Sequence, residues 1–142
     1  MVGYPVNKPI TRIIYSFKDA SVPPQYHRSY TITVTKDQSH IIVDSYGDIL
    51  VDTMINIPGQ TISELARYIE IYRIKGTDHN NDIKSCTGVT SKSLTVYSDT
   101  DVLLNGTVYQ CSDHLEGNLS GDIDAFAKKL EGLFPDFSNL LK

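Results

Sequence analysis

The chain has 142 residues, the size of one domain that buries about two thirds of its unfolded surface and folds without metal or disulfide help. Its net charge is -4, from 13 basic and 17 acidic residues, and the densest basic pair is Lys128-Lys129. That scatter excludes the concentrated basic patch of a nucleic-acid binder, and no apolar run approaches the roughly 18 residues of a membrane span.

Residues 1–9 carry two prolines and a glycine and read as an extended lead-in to a single domain spanning 1–142. They have neither the apolar core nor the basic start of a signal peptide. The cytoplasm is therefore the default compartment, with export of a chain whose leader has been removed as the alternative.

Ile10 to Phe17 predicts a first strand that is apolar on both faces. Val22-Pro23-Pro24 makes the following loop stiff, because each proline fixes its own φ and restricts its predecessor. Ser29 to Thr35 alternates cleanly: Tyr30, Ile32 and Val34 point one way, and Thr31, Thr33 and Thr35 the other. That period of two marks a sheet with one buried face. His40–Ser45 and Ile49–Ile55 predict two more strands around the turn Tyr46-Gly47-Asp48. Thr53 is expected on the open face.

Thr61-Ile62-Ser63-Glu64 has the form of a capping box. Ile62, Leu65, Ala66, Ile69 and Tyr72 follow at helical spacing, predicting a helix to Lys75 that Gly76 closes in the left-handed conformation. Thr77 to Ser91 is polar and aperiodic, a long loop. Leu94 and Val96 alternate with Ser93, Thr95 and Tyr97, and Val102 to Cys111 is the return strand. Asn105-Gly106 inside it is assigned to a bulge. Ser112 to Gly121 reads as a loop. Asp122 or Ser120 caps a last helix that buries Ile123, Phe126, Ala127, Leu130 and Leu133, and Pro135 stops it. The expected fold is α+β: a two-layer sandwich of a mainly antiparallel sheet, β-β-β-β-α-β-β-α, with both helices on one face. Its core is Ile32, Val34, Leu65, Ile69, Leu94, Val96, Phe126 and Leu130.

Cys86 and Cys111 are the only cysteines. They flank the turn at Ser98–Asp101 almost symmetrically, which predicts that they lie close together, bonded in an oxidising compartment. Two cysteines without a close histidine pair do not make a structural zinc set, so neither metal nor cofactor is expected. His27, His40, His79 and His114 have no nucleophile signature around them. Asp44, Asp48 and Asp52 surround one hairpin, where Asp44 and Asp52 could face each other as a catalytic or cation-binding pair. Asp78-His79-Asn80-Asn81-Asp82 has the composition of a cation loop without the spacing of one. Asn105-Gly106-Thr107 and Asn118-Leu119-Ser120 fit the glycosylation triplet, as chance would allow in a chain of this composition.

Nine tyrosines and no tryptophan suit half-exposed sheets and contact surfaces. The best candidate contact loop carries Tyr26, His27 and Arg28 behind two prolines that lower the entropy lost on binding. Thr31 and Thr33 on the open sheet face, with Tyr46 at the hairpin turn, complete the candidate surface. The leading expectation is a non-enzymatic, inhibitor- or immunity-like domain that acts by protein–protein contact. A small hydrolase using His27 or Asp44 and Asp52, and a subunit that self-associates through its sheet, are the two alternatives.

Overall fold

The computed structural model describes residues 8–76 and 87–142. Four antiparallel strands come first: β1 (Arg12–Lys18), β2 (Ser29–Val34), β3 (Gln38–Ser45) and β4 (Asp48–Asn56). Then follow α1 (Thr61–Ile71), β5 (Lys75–Gly76), β6 (Ser91–Ser98), β7 (Asp101–Gln110), β8 (Leu115–Gly117), β9 (Leu119–Ser120), α2 (Ile123–Glu131) and α3 (Phe137–Leu140). The main sheet has seven strands in the order β4-β3-β2-β1-β6-β7-β8, and β5 pairs with β9 separately. The fold is α+β with an antiparallel sheet, as the alternation at Ser29–Thr35 implies.

Register explains which residues become core. Ile41, Ile32, Tyr15 and Leu94 stand side by side across β3, β2, β1 and β6. Val34, Ile13, Val96 and Leu104 form the adjacent row. All eight are buried. α1 adds Ile62, Leu65 and Ile69, and α2 adds Ile123, Phe126, Ala127 and Leu130, to the same apolar cluster. Both amphipathic helices thus cover one face of the sheet and leave the other in solvent. Every residue of the expected core is in this cluster.

Several local expectations are corrected. α1 ends at Ile71, and the left-handed residue after it is Arg73 at φ 56°, not Gly76. Gly76 is needed for a different reason: a Cβ there would lie 2.5 Å from the Asn105 carbonyl oxygen, where β5 crosses β7. The capping box does not form. Thr61 is already helical, its N-cap is Gln60, and no side chain caps that end. At α2, Asp122 does cap, accepting the Ala125 N–H at 3.1 Å.

Asn105 and Gly106 pair regularly with Thr95 and Leu94, and the irregularity falls two residues earlier, at Leu103. Gly106 instead makes room for Leu119, whose side chain would stand 3.1 Å from an added Cβ. Thr53 pairs with Ile41 and so faces the helices, half-buried, rather than the open face. Residues 112–121 contain β8 and β9 instead of one loop. The expected loop at 77–91 falls outside the described residues up to Cys86.

Candidate surface at the hairpin tip and open face

The open face is read row by row from the strand register. One row runs Ile42, Thr31, Ser16, Ser93 and Thr107 from β3 to β7. The next runs Met54, His40, Thr33, Ile14, Thr95 and Asn105. The hydroxyls satisfy one another sideways: Ser16 and Thr31 lie 3.0 Å apart, and Ser93 and Thr107 2.8 Å apart. Thr95 donates to Asn105 Oδ1 at 3.0 Å. A face whose polar groups already have partners loses little by being covered.

Thr31 and Thr33 are therefore part of a continuous hydroxyl-rich surface, each half-buried. Asp44 and Asp52 share this face but are not opposite each other. A register shift sets Asp44 against Ile49 and Asp52 against Ile42. Asp52 Oδ1 pairs instead with His40 Nε2 at 2.5 Å.

At one end of this face, loop 22–28 is locked to the β3–β4 turn. The turn residues Tyr46 (φ 50°) and Gly47 (φ 92°) both lie in the positive-φ region, as a tight hairpin turn of the I′ kind requires. Tyr46 tolerates that position through its side chain. Its ring stacks on His27 with centroids 3.7 Å apart. Its hydroxyl donates to the Val22 carbonyl at 2.6 Å, and Ser45 Oγ donates to the Pro24 carbonyl at 2.8 Å. His27 Nδ1 accepts the Tyr46 N–H at 3.3 Å. That bond leaves the imidazole hydrogen on Nε2, so His27 serves this turn as an acceptor and stacking platform.

Arg28 ties the loop down from the other side. Its guanidinium donates to the His27 carbonyl at 2.7 Å, and its N–H donates to Asp19 Oδ2 at 2.9 Å. The six residues named from sequence therefore divide. His27 is buried at 6% exposure and Arg28 half-buried, and both hold the loop's shape. Tyr26 and Tyr46 are displayed, at 68% and 54% exposure. Ile49 and Leu50 continue the exposed apolar surface directly past the turn.

A cavity of about 270 Å³ opens between the loop and the open face, lined by Ser16, Lys18, Asp19, His27, Thr31 and Asp44 among others. It gathers His27 and Asp44, two residues of the hydrolase alternative. Asp19 Oδ1 accepts the Ala20 N–H at 2.8 Å, and Asp44 Oδ2 accepts the Gly47 N–H at 2.9 Å. These carboxylates shape turns. Sequence reasoning missed Lys18, Asp19 and the apolar Ile49–Leu50 pair. The register shift that exposes the last two has no signal in local composition.

A second polar group lies at the far edge. His114 Nδ1 contacts Asp113 at 2.5 Å, and Nε2 contacts Glu116 at 2.6 Å. These hydrogen bonds, Asp113 first, raise the His114 pKa, and His114 lowers that of Asp113. One ligand-type atom each of Cys111, His114 and Glu116 falls within 4.8 Å of the others. The two carboxylate contacts already occupy both imidazole nitrogens, and they account for the cluster as a surface ion group. Cys111 is buried, while Cys86 lies outside the described residues, as do His79 and the 78–82 segment. Among the described residues, no helix is long and apolar enough to cross a membrane. Compared with known proteins, this chain matches no family model, no curated protein and no solved structure.

Proposed function

We propose that this chain is a non-enzymatic binding domain of the inhibitor or immunity kind, which acts by covering part of a protein partner. The observation that carries the reading is the display of Tyr26 and Tyr46 on a loop and turn that are fixed to each other. Aromatic residues held in one conformation lose little entropy on binding and are frequent hot spots. The stack of Tyr46 on His27 and the two hydroxyl-to-carbonyl bonds supply that fixation. The hydroxyl-rich open face beside it offers a flat area whose polar groups are internally paired.

The test is capture of a partner from the native source on the immobilised chain, followed by affinity measurements on variants. Tyr26→Ala removes exposed surface without touching the lock, and it should weaken binding by about 2 kcal/mol with an unchanged melting temperature. His27→Ala and Arg28→Ala are poorer tests, because both would loosen the loop. Normal binding by Tyr26→Ala, or hydrolytic turnover abolished by His27→Gln, would defeat the reading.

A further inference from the structure

The two edges of the main sheet are not alike. β8 is three residues long, contains a glycine, and is flanked by the Asp113–His114–Glu116 ion group. Short, charged edges resist pairing with other chains. β4 is nine residues long, and among the described residues its outer side pairs with no strand. The register shift at Leu50 interrupts only its start. Val51–Asn56 is left as a regular run, with Met54 exposed at 53%. It contains no lysine and no proline, the residues that usually blunt an edge.

The charge along this edge has one sign. Residues 38–56 contain Asp44, Asp48 and Asp52 and not a single Lys or Arg. Asp52 keeps 59% of its side chain in solvent despite its His40 contact. A second copy of this chain suits such an edge poorly. Antiparallel pairing centred anywhere on 51–53 puts Asp52 opposite or diagonal to its own copy, where like charges repel. A cationic strand gains at the same positions.

We propose that Val51–Asn56 is a docking edge for an extended, basic segment of a partner protein, which adds antiparallel to β4 and sets its Lys or Arg beside Asp52 on the open face. This rests on the binding-domain reading and gives its partner a chemistry. Main-chain hydrogen bonds would supply the affinity, and alternate side chains the selection. Residues of the incoming strand that share the open face would meet Asp52 and Met54, and those on the other face would meet Val51, Thr53 and Ile55.

The test uses a capped nine-residue peptide of alternating lysine and valine. One analogue carries N-methyl groups on every second amide, and another has glutamate in place of lysine. In amide NMR spectra of the full chain, the lysine peptide should shift Val51–Asn56, and both analogues should not. Asp52→Lys should weaken binding by at least about tenfold, by turning attraction into repulsion. Leu50→Lys, which leaves Asp52 in place and puts a cation beside the edge, is a second variant with the same expected loss should the first unfold. Binding that survives N-methylation would reveal plain charge attraction and overturn the proposal. So would a dimer in sedimentation that Leu50→Lys dissolves, since the occupant would then be a second copy. A captured native partner that ignores the edge variants but loses affinity for Tyr26→Ala would sink the edge proposal alone. A partner indifferent to both would sink the binding-domain reading as well.

Discussion

Tyr30, the second residue of β2, donates its phenol hydrogen to Glu131 at the end of α2, 2.5 Å away. The bond crosses from sheet to helix at the side of the core, where Tyr30 also contacts Phe17 and Phe137. Tyr15 lies beside it, with ring centroids 6.1 Å apart. Both tyrosines have pKa values pushed well above the ordinary range. Burial is the largest cause for each. The carboxylate of Glu131 comes next for Tyr15, and for Tyr30 the neighbouring Tyr15 and then Glu131.

This arrangement predicts an alkaline limit to stability. The folded-state pKa is raised, so the contribution is complete below the unfolded tyrosine value of about 10 and is lost as pH climbs above it. Urea midpoints should therefore hold steady between neutral pH and about 9.5 and then fall. Of the nine tyrosines, two should ionise only as the protein unfolds, visible as a late step in ultraviolet absorbance. A single smooth titration of all nine in the folded protein would contradict this.

Tyr30→Phe should cost about 1.5 kcal/mol, the low end for a hydrogen bond to a charged group. Glu131 is only half-buried, so water can replace the lost donor. The ring packing is retained. Denaturant unfolding of the variant measures the loss, and a loss above about 3 kcal/mol would mean that Glu131 cannot be rehydrated.

The two sheet faces should respond differently to truncation. Leu94→Ala and Leu130→Ala remove side chains with no exposure and should each cost about 2–5 kcal/mol. Thr33→Ala and Thr95→Ala act on the open face and should cost under about 1 kcal/mol. Equal losses in chemical denaturation would show that something covers the open face.

Ser39 is fully buried, and its hydroxyl has no hydrogen-bond partner among the described residues. It stands on the core face between Val34 and Ile55. Ser39→Ala should leave stability unchanged or raise it by up to about 1 kcal/mol, since the unpaired hydroxyl costs free energy where it is. A clear fall in melting temperature would point to a bound water holding that oxygen.

His114 should titrate above the ordinary histidine value in proton NMR, because Asp113 and Glu116 stabilise its charged form. Asp113→Asn and Glu116→Gln should each lower it, and added salt should shrink the difference. The sign for stability follows from the raised value: any contribution is present at acid pH and fades as His114 deprotonates. The group is fully exposed, so melting temperature should hardly register it.

Strand identity, helix faces and core membership were legible because each is a periodic property of the chain. Tyr30, Ile32 and Val34 announce their side of the sheet at every second residue. Register is not periodic in that sense. The shifts at Leu50 and Leu103 are set by how neighbouring strands fit, and the one at Leu50 moved Thr53 indoors, while the tight turn that pairs Ser45 with Asp48 keeps Asp44 from facing Asp52. Helix ends also escaped: the Thr61-Glu64 pattern was available, yet the chain entered α1 one residue earlier through Gln60. At the candidate surface, residue types identified the loop but not the division of labour within it. Burial of His27 depends on Tyr46, nineteen positions away.

The strand that opens the described fold sits at the centre of its sheet. Among the described residues, every ladder connection between the N-terminal meander and the β6–β8 segment runs through β1, whose two neighbours are β2 and β6. On a ribosome, β1 to β4 can assemble as soon as they emerge, whereas the free side of β1 must wait for Ser91–Ser98, more than seventy residues later. Until then the middle of the finished sheet is an open seam of Ile13, Tyr15 and Phe17. Closing it is a long-range, entropically costly step. Loss of β1 would leave two separate sheets, each without half of its partner rows.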